Sequence, residues 1–363
     1  MKLKKLFAGV VAVAMMATMA MPSFAAKGNG LANSTVENKG QVEIRKTLVK
    51  EDQAMGDVPD SVTAGMTYRT LTVPTGVDPS TVGIVKIDDA TITKGVGSFK
   101  VHLPEYKTPG VYEYILTEDA TGVAGVVDNT KTYKLTVWAV QKNETSDAKG
   151  NDLQCKVRLD EVVLKDDKYV DAENTKLSEI ENVYQAGSAS VIKKVTGSDG
   201  DRTATFNFKV TLTSSKPVAS KVTYTKDATD TGTFEWTKAT VNGVDTWTAT
   251  HDFTLVHGET MNIGNLPYDV SYDFVETDGT NAVAFTEGKG SLVVGGKTYE
   301  VTYKDNEGTV GARNKAGSAT ITNNCGSIID TGVILDNAPY ILMLAVVAGG
   351  AMTLVIKKRR EEE

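Results

Sequence analysis

Between Ala26 and Thr331 no stretch of this chain holds a helical period. Short segments rich in Val, Thr, Phe and Tyr alternate in polarity instead, separated by Gly, Asp and Asn turns. Lys131 to Val140 (KTYKLTVWAV), Thr203 to Leu212 (TATFNFKVTL), Trp247 to Leu255 and Tyr299 to Tyr303 are of this kind. A period of two puts one apolar face on each strand, and the usual way to bury such faces is to stack one sheet on another. The expectation is an all-β chain of antiparallel sandwiches. A composition shift at Gln185-Ala186-Gly187-Ser188 is the one clean linker, dividing the chain into domains at 26–185 and 186–326.

Two flanking regions do not belong to these domains. Residues 1–25 read as a signal peptide: Lys2, Lys4 and Lys5 precede the apolar run Leu6 to Met21, and Ser23-Phe24-Ala25 offers small residues for cleavage after Ala25. In the region 327–363, Ala338 to Ile356 is an uncharged apolar run of 19 residues followed by Lys357, Lys358, Arg359 and Arg360. That length just spans a bilayer, and the basic cluster keeps the tail on the cytoplasmic side. It reads either as a permanent single-span anchor or as a sorting signal, with Thr331-Gly332 lying just upstream. A net charge of −7 offers no basic face for a phosphate backbone, which argues against nucleic acid as a partner.

The two halves repeat each other. VEIRKTL (Val42 to Leu48) answers SVIKKVTG (Ser190 to Gly197), GVYEYILTED (Gly110 to Asp119) answers DVSYDFVETD (Asp269 to Asp278), and IEN (Ile180 to Asn182) answers ITN (Ile321 to Asn323). Each half thus carries Lys, Glu and Asn in that order: Lys46, Glu118 and Asn182, then Lys193, Glu276 and Asn323. Strand parity puts all six on the apolar face. Lys46 shares a face with Val42, Ile44 and Leu48, and Glu118 with Tyr112, Tyr114 and Leu116. In the second half Lys193 lies with Val191 and Val195, Glu276 with Tyr272 and Phe274, and Asn323 with Ala319 and Ile321.

Burial disfavours charge, lowering a Lys pKa and raising that of Glu by up to about 3–5 units. A neutral Lys is a nucleophile, and a protonated Glu can donate to the Asn carbonyl. Attack on that carbon with loss of ammonia would join the opening strand of each half to its last strand by an amide. The plainer alternative is six polar residues satisfied separately by backbone groups or by snorkelling.

Other chemistry has little support. Asp199-Gly200-Asp201 lacks the spaced ligands of a calcium loop and reads as a turn. His102, His251 and His257 form no ligand pair, so no metal and no cofactor are expected. Cys155 and Cys325 lie in different halves and are expected as unpaired thiols.

The segments VIKKVTGSDGDRTATFNFKVTL, HDFTLVHGETMNIGNLPYDVSYDFVETD, KTPGVYEYILTED and TGVILDNAPYI resemble those of the two-domain backbone pilins of Gram-positive bacteria, of the FctA type. The resemblance implies two tandem immunoglobulin-like sandwiches of the CnaB type, each with an intramolecular Lys–Asn isopeptide bond promoted by Glu. It places bond 1 on Lys46, Asn182 and Glu118, and bond 2 on Lys193, Asn323 and Glu276. It further implies that a class C sortase cleaves between Thr331 and Gly332 and joins Thr331 to a Lys of another copy. A housekeeping sortase would then attach the fibre to cell-wall peptide, with tip and base pilins as further candidate partners. The acceptor position matches Lys176, with Lys168 and Lys165 as fallbacks. Asp330 stands where the family's sorting signals usually carry Pro, and the Tyr-Pro-Lys-Asn pilin motif is absent. The implied protein is a surface-anchored structural subunit rather than an enzyme, its only catalysis being its own cross-linking. A wall-anchored monomeric adhesin or stalk is the alternative.

Overall fold

The computed structural model describes residues 34–51, 57–142, 153–177, 179–226, 229–286 and 289–326. The expected signal peptide, the apolar span, Thr331 and Gly332 lie outside them. The chain divides into two compact units with the boundary between Gln185 and Ala186. Among the described residues the only helical element is one 3-10 turn, Pro79–Thr81; all other regular structure is strand.

Each unit is a two-sheet β-sandwich. In the first, strand Gln41–Lys50 sits inside a seven-stranded sheet between Val96–His102 and Glu179–Tyr184, and strand Gly110–Glu118 belongs to the facing six-stranded sheet. The alternation read from the sequence holds through Lys46: Val42, Ile44, Lys46 and Leu48 are buried and Glu43 and Arg45 exposed, but Thr47, expected on the outer face, is buried as well. Gln41–Lys50 is preceded by a short strand, Ser34–Glu37, which pairs in the other sheet with Leu153–Lys165. In the second unit Ala186–Thr196 lies in an eight-stranded sheet between Thr260–Pro267 and Ala316–Asn324, facing a five-stranded sheet that carries Phe206–Ser214 and Ser271–Thr277. Of the aromatic residues expected on the apolar faces, Tyr112, Tyr114, Tyr272 and Phe274 are buried, and further aromatic side chains join them. Tyr112, Tyr114, Phe99 and Tyr133 are buried in the first unit, and Phe206, Phe208, Phe274 and Tyr299 in the second.

One pairing matters above the others. Antiparallel ladders dominate both units, yet Gln41–Lys50 pairs with Glu179–Tyr184 in parallel, and Ala186–Thr196 pairs with Ala316–Asn324 in parallel. A parallel pair cannot be closed by a tight turn. In each unit the intervening chain builds the rest of the sandwich before returning, so the Lys-bearing strand and the last strand end up side by side. Close approach is needed along this seam: at Gly317 a Cβ would lie 2.1 Å from the Tyr272 hydroxyl of the facing sheet.

Candidate functional site

The two parallel seams have the same register. Lys46 stands opposite Ile180, and Asn182 opposite Leu48. Lys193 stands opposite Ile321, and Asn323 opposite Val195. In both units the Asn therefore sits two residues beyond the Lys partner, on the same face, a diagonal within reach of a long side chain. The acid comes from the facing sheet.

In the first unit the Lys46 Nζ donates to the Asn182 Oδ1 at 2.6 Å and to the Glu118 Oε2 at 2.7 Å. The Asn182 Nδ2 donates to the Glu118 Oε1 at 2.6 Å, closing a three-membered ring of contacts. The side chains of Lys46 and Glu118 are both 0% exposed. In the second unit the Lys193 Nζ contacts both Glu276 oxygens, at 3.0 and 3.1 Å, and the Asn323 Nδ2 donates to the Glu276 Oε1 at 2.8 Å. The Asn323 Oδ1 is buried and has no hydrogen-bond partner among the described residues. The Lys193 Nζ lies 4.2 Å from the Phe206 ring centroid and 5.3 Å from that of Phe208, so aromatic faces form the rest of its wall.

The electrostatics follow from that burial. Desolvation pushes both lysines down, Lys193 to about 8, against the opposing pull of the neighbouring carboxylate. Desolvation pushes Glu118 and Glu276 up, although the Lys and Asn hydrogen bonds act the other way. Both directions favour moving one proton from ammonium to carboxylate, leaving a neutral amine beside a carboxylic acid. A buried ion pair repays its desolvation only with excellent geometry, at a cost of several kcal/mol per ion, whereas a buried Phe or Leu stabilises by about 1.5–3 kcal/mol. Two such triads are thus hard to explain as packing.

The remaining sequence-marked residues are dispersed. Lys176 ends strand Lys168–Lys176, its backbone paired with buried Asp160 at a bulge. Lys165 and Lys168 face each other across the tip of the same hairpin, both exposed. Asp201 caps a turn, its Oδ1 accepting from the Thr203 N–H at 2.9 Å and from the Thr203 hydroxyl. His102 pairs with Asp88 at 2.8 Å, the His257 Nδ1 accepts from the Val195 N–H, and His251 stacks on Tyr224. No group of three metal-ligating side chains occurs among the described residues. Cys155 and Cys325 are buried free thiols, and burial raises Cys155 to about 12. The Phe206 and Phe208 walls of the Lys193 pocket, and the Tyr303 hydroxyl against the Glu276 backbone, carried no separate signal in the sequence.

Over 263 residues the chain is 29% identical to a protein named pilin from Streptococcus pyogenes serotype M1, covering 70% of this chain and 69% of that one. The chain is a relative of a Gram-positive pilin. A family described as a domain of unknown function, DUF7601, matches residues 187–325. Among solved structures, a major pilin protein from Streptococcus pyogenes covers 80% of this chain and 98% of its own, at 17% identity and a TM-score of 0.47. A second major pilin from that species covers 79% and 99%, at 21% identity and a TM-score of 0.45.

Proposed function

We propose that this chain is the major structural subunit of a covalently polymerised cell-surface pilus, stapled internally by two Lys–Asn isopeptide bonds. The observation that carries the reading is the duplicated buried triad, set on the same diagonal of two parallel seams. The sequence relationship to a streptococcal pilin supports it. The protein acts on no external substrate in this reading; its chemistry is turned on itself.

The reaction begins with proton transfer from the Lys46 ammonium to Glu118. The Glu118 acid then faces the Asn182 amide, whose oxygen and nitrogen are nearly isosteric, so a half-turn of that amide brings its carbonyl to the acid. Protonation polarises the carbonyl, and the neutral Nζ attacks Cγ. A bond from Nζ to Cγ forms as the bond from Cγ to Nδ2 breaks; the proton supplied by Glu118 ends on Nδ2, which leaves as ammonia, and Nζ gives its surplus proton back to the Glu118 carboxylate beside it. Effective molarities of about 10⁵–10⁸ M for well-oriented groups are what such a poor leaving group demands. Lys193, Glu276 and Asn323 react in the same way, with the unpartnered Asn323 carbonyl as the oxygen to be polarised.

Polymerisation is the second half of the proposal. The apolar span and Lys357 to Arg360 retain the precursor in the plasma membrane, a sortase cleaves between Thr331 and Gly332, and the Thr331 acyl group passes to Lys176 of another copy. Lys176 lies three residues before the strand that carries Asn182, so a load entering there passes directly into the cross-linked seam. Co-expression with a class C sortase is expected to give a ladder of multimers on denaturing gels. Arginine keeps the charge but stays protonated, so Lys176→Arg should abolish the ladder while monomers remain folded and internally linked. A ladder that persists with Thr331 joined to Lys168 or Lys165 would move the acceptor. Absence of any Thr331–Lys linkage would favour a wall-anchored monomer.

A further inference from the structure

The two acid-bearing strands are buttressed differently. In the first unit Gly110–Glu118 runs between Met66–Thr72 and Thr132–Gln141, and Glu118 itself stands opposite Met66. In the second, Ser271–Thr277 is paired with Phe206–Ser214, but its other edge is paired only from Ser271 to Asp273, against Glu307–Thr309. That ladder ends where the Phe274 N–H donates to the Asn306 carbonyl at 2.9 Å. Glu276 lies beyond the end, fully buried, at an edge where, among the described residues, the chain returns only as an isolated bridge between Thr277 and Ala282 and no full strand pairs beside it.

Backbone groups in such a place need partners, since an orphaned buried amide costs as much as a lost hydrogen bond. The Glu276 carbonyl accepts from the Val283 N–H at 2.9 Å. Its N–H donates to the Tyr303 Oη at 2.7 Å. Tyr303 belongs to strand Lys297–Lys304 of the facing sheet, opposite Ile321, and that strand is the ladder neighbour of the one bearing Asn323. Its ring packs on Phe285 with centroids 4.4 Å apart. The returning segment at Val283 and one phenol therefore take the place of a full edge strand, and the phenol ties the backbone of the acid to the immediate neighbour of the Asn strand.

We propose that Tyr303 is a positioning residue for the second cross-link, setting the Glu276 carboxyl against Asn323 by holding the Glu276 N–H. This rests on the reading that Lys193 and Asn323 become joined. Tyr303 takes no part in the bonds that form and break, and burial raises its hydroxyl to about 12, so it remains a neutral acceptor through the physiological range. The first unit needs no counterpart because Met66–Thr72 already fixes Glu118 along the strand.

The test is Tyr303→Phe in the ectodomain, which removes one oxygen and keeps the ring. Peptide mass spectrometry at matched times after expression should find the Lys46–Asn182 link complete and the Lys193–Asn323 link accumulating about tenfold or more slowly than in the parent. The first unit is the internal control. In an Asn323→Ala background, where no second link can form, adding Tyr303→Phe should leave the second unit folded and lower its melting by only a few degrees, the cost of one orphaned N–H. Linkage at the parental rate would overturn the proposal. So would unfolding of the second unit in the Asn323→Ala background, which would make Tyr303 a general support of the fold. A parent that itself lacks the Lys193–Asn323 link would instead sink the cross-linking reading on which this rests.

Discussion

An intact-mass spectrum of the ectodomain is expected to fall short of the sequence mass by two molecules of ammonia, one from each unit. Each triad holds the groups that the loss requires: a Lys amine 2.6 Å from the Asn182 oxygen in the first unit, and in the second a Lys–Glu pair with Asn323 hydrogen-bonded to the same acid. Glu118→Ala should restore one ammonia and Glu276→Ala the other, with the remaining link intact in each case. The expected effect is all-or-none on the time scale of expression and purification. General-acid assistance is worth about 10²–10⁴-fold, and without the acid the Lys has no internal partner to take its proton. A spectrum at the unmodified mass would reject the chemistry for both units. A single loss would make one triad purely structural, and peptide sequencing would tell which.

Much of this site was legible from strand parity alone. The alternation in Val42 to Leu48 and in Val191 to Val195 placed Lys46 and Lys193 inside, and the buried pattern of those strands agrees. Parity stops at the face, however. It could not show that Asn182 lies on the diagonal from Lys46, because that depends on a parallel pairing between strands 136 residues apart. It also failed locally where the ladder is irregular. Asp160, fully buried in a strand whose neighbours Leu159 and Val162 are buried too, stands at a register shift between Asp160 and Val162 that no period of two can express. Tyr303 was illegible for a different reason. Its proposed role depends on Glu276 having no full strand paired beside it among the described residues, and that gap exists only once the sheet is assembled.

The other large effect concerns stability. A bond between Lys46 and Asn182 closes a loop spanning 136 residues, and the chain-entropy model assigns such a loop about 5 kcal/mol at 25 °C. For a domain of this size that corresponds to a fall of about 10–20 °C in the melting temperature when the link is absent. Lys46→Ala and Asn182→Ala do different local damage, one opening a space beside Ile44 and Leu48 and the other removing a small amide, yet both forbid the same bond. Closely similar drops would therefore assign the loss to the link. Very different drops would assign it to packing, since a core truncation alone costs about 2–5 kcal/mol depending on how the site collapses. Proteolysis separates the units in the same samples. With the Lys-bearing strand no longer tied to the last strand, the first unit should be cut by trypsin while the second, still linked through Lys193 and Asn323, resists. The mechanical consequence follows from topology: tension applied along a linked seam passes through one covalent bond between neighbouring parallel strands and leaves the ladders on either side unloaded. In Lys46→Ala the same tension would have to be carried by the hydrogen bonds of that seam, so the first unit should extend by nearly its whole contour in single-molecule pulling, where the parent extends hardly at all. Equal resistance of parent and variant, to trypsin or to force, would show that the seam carries no covalent link.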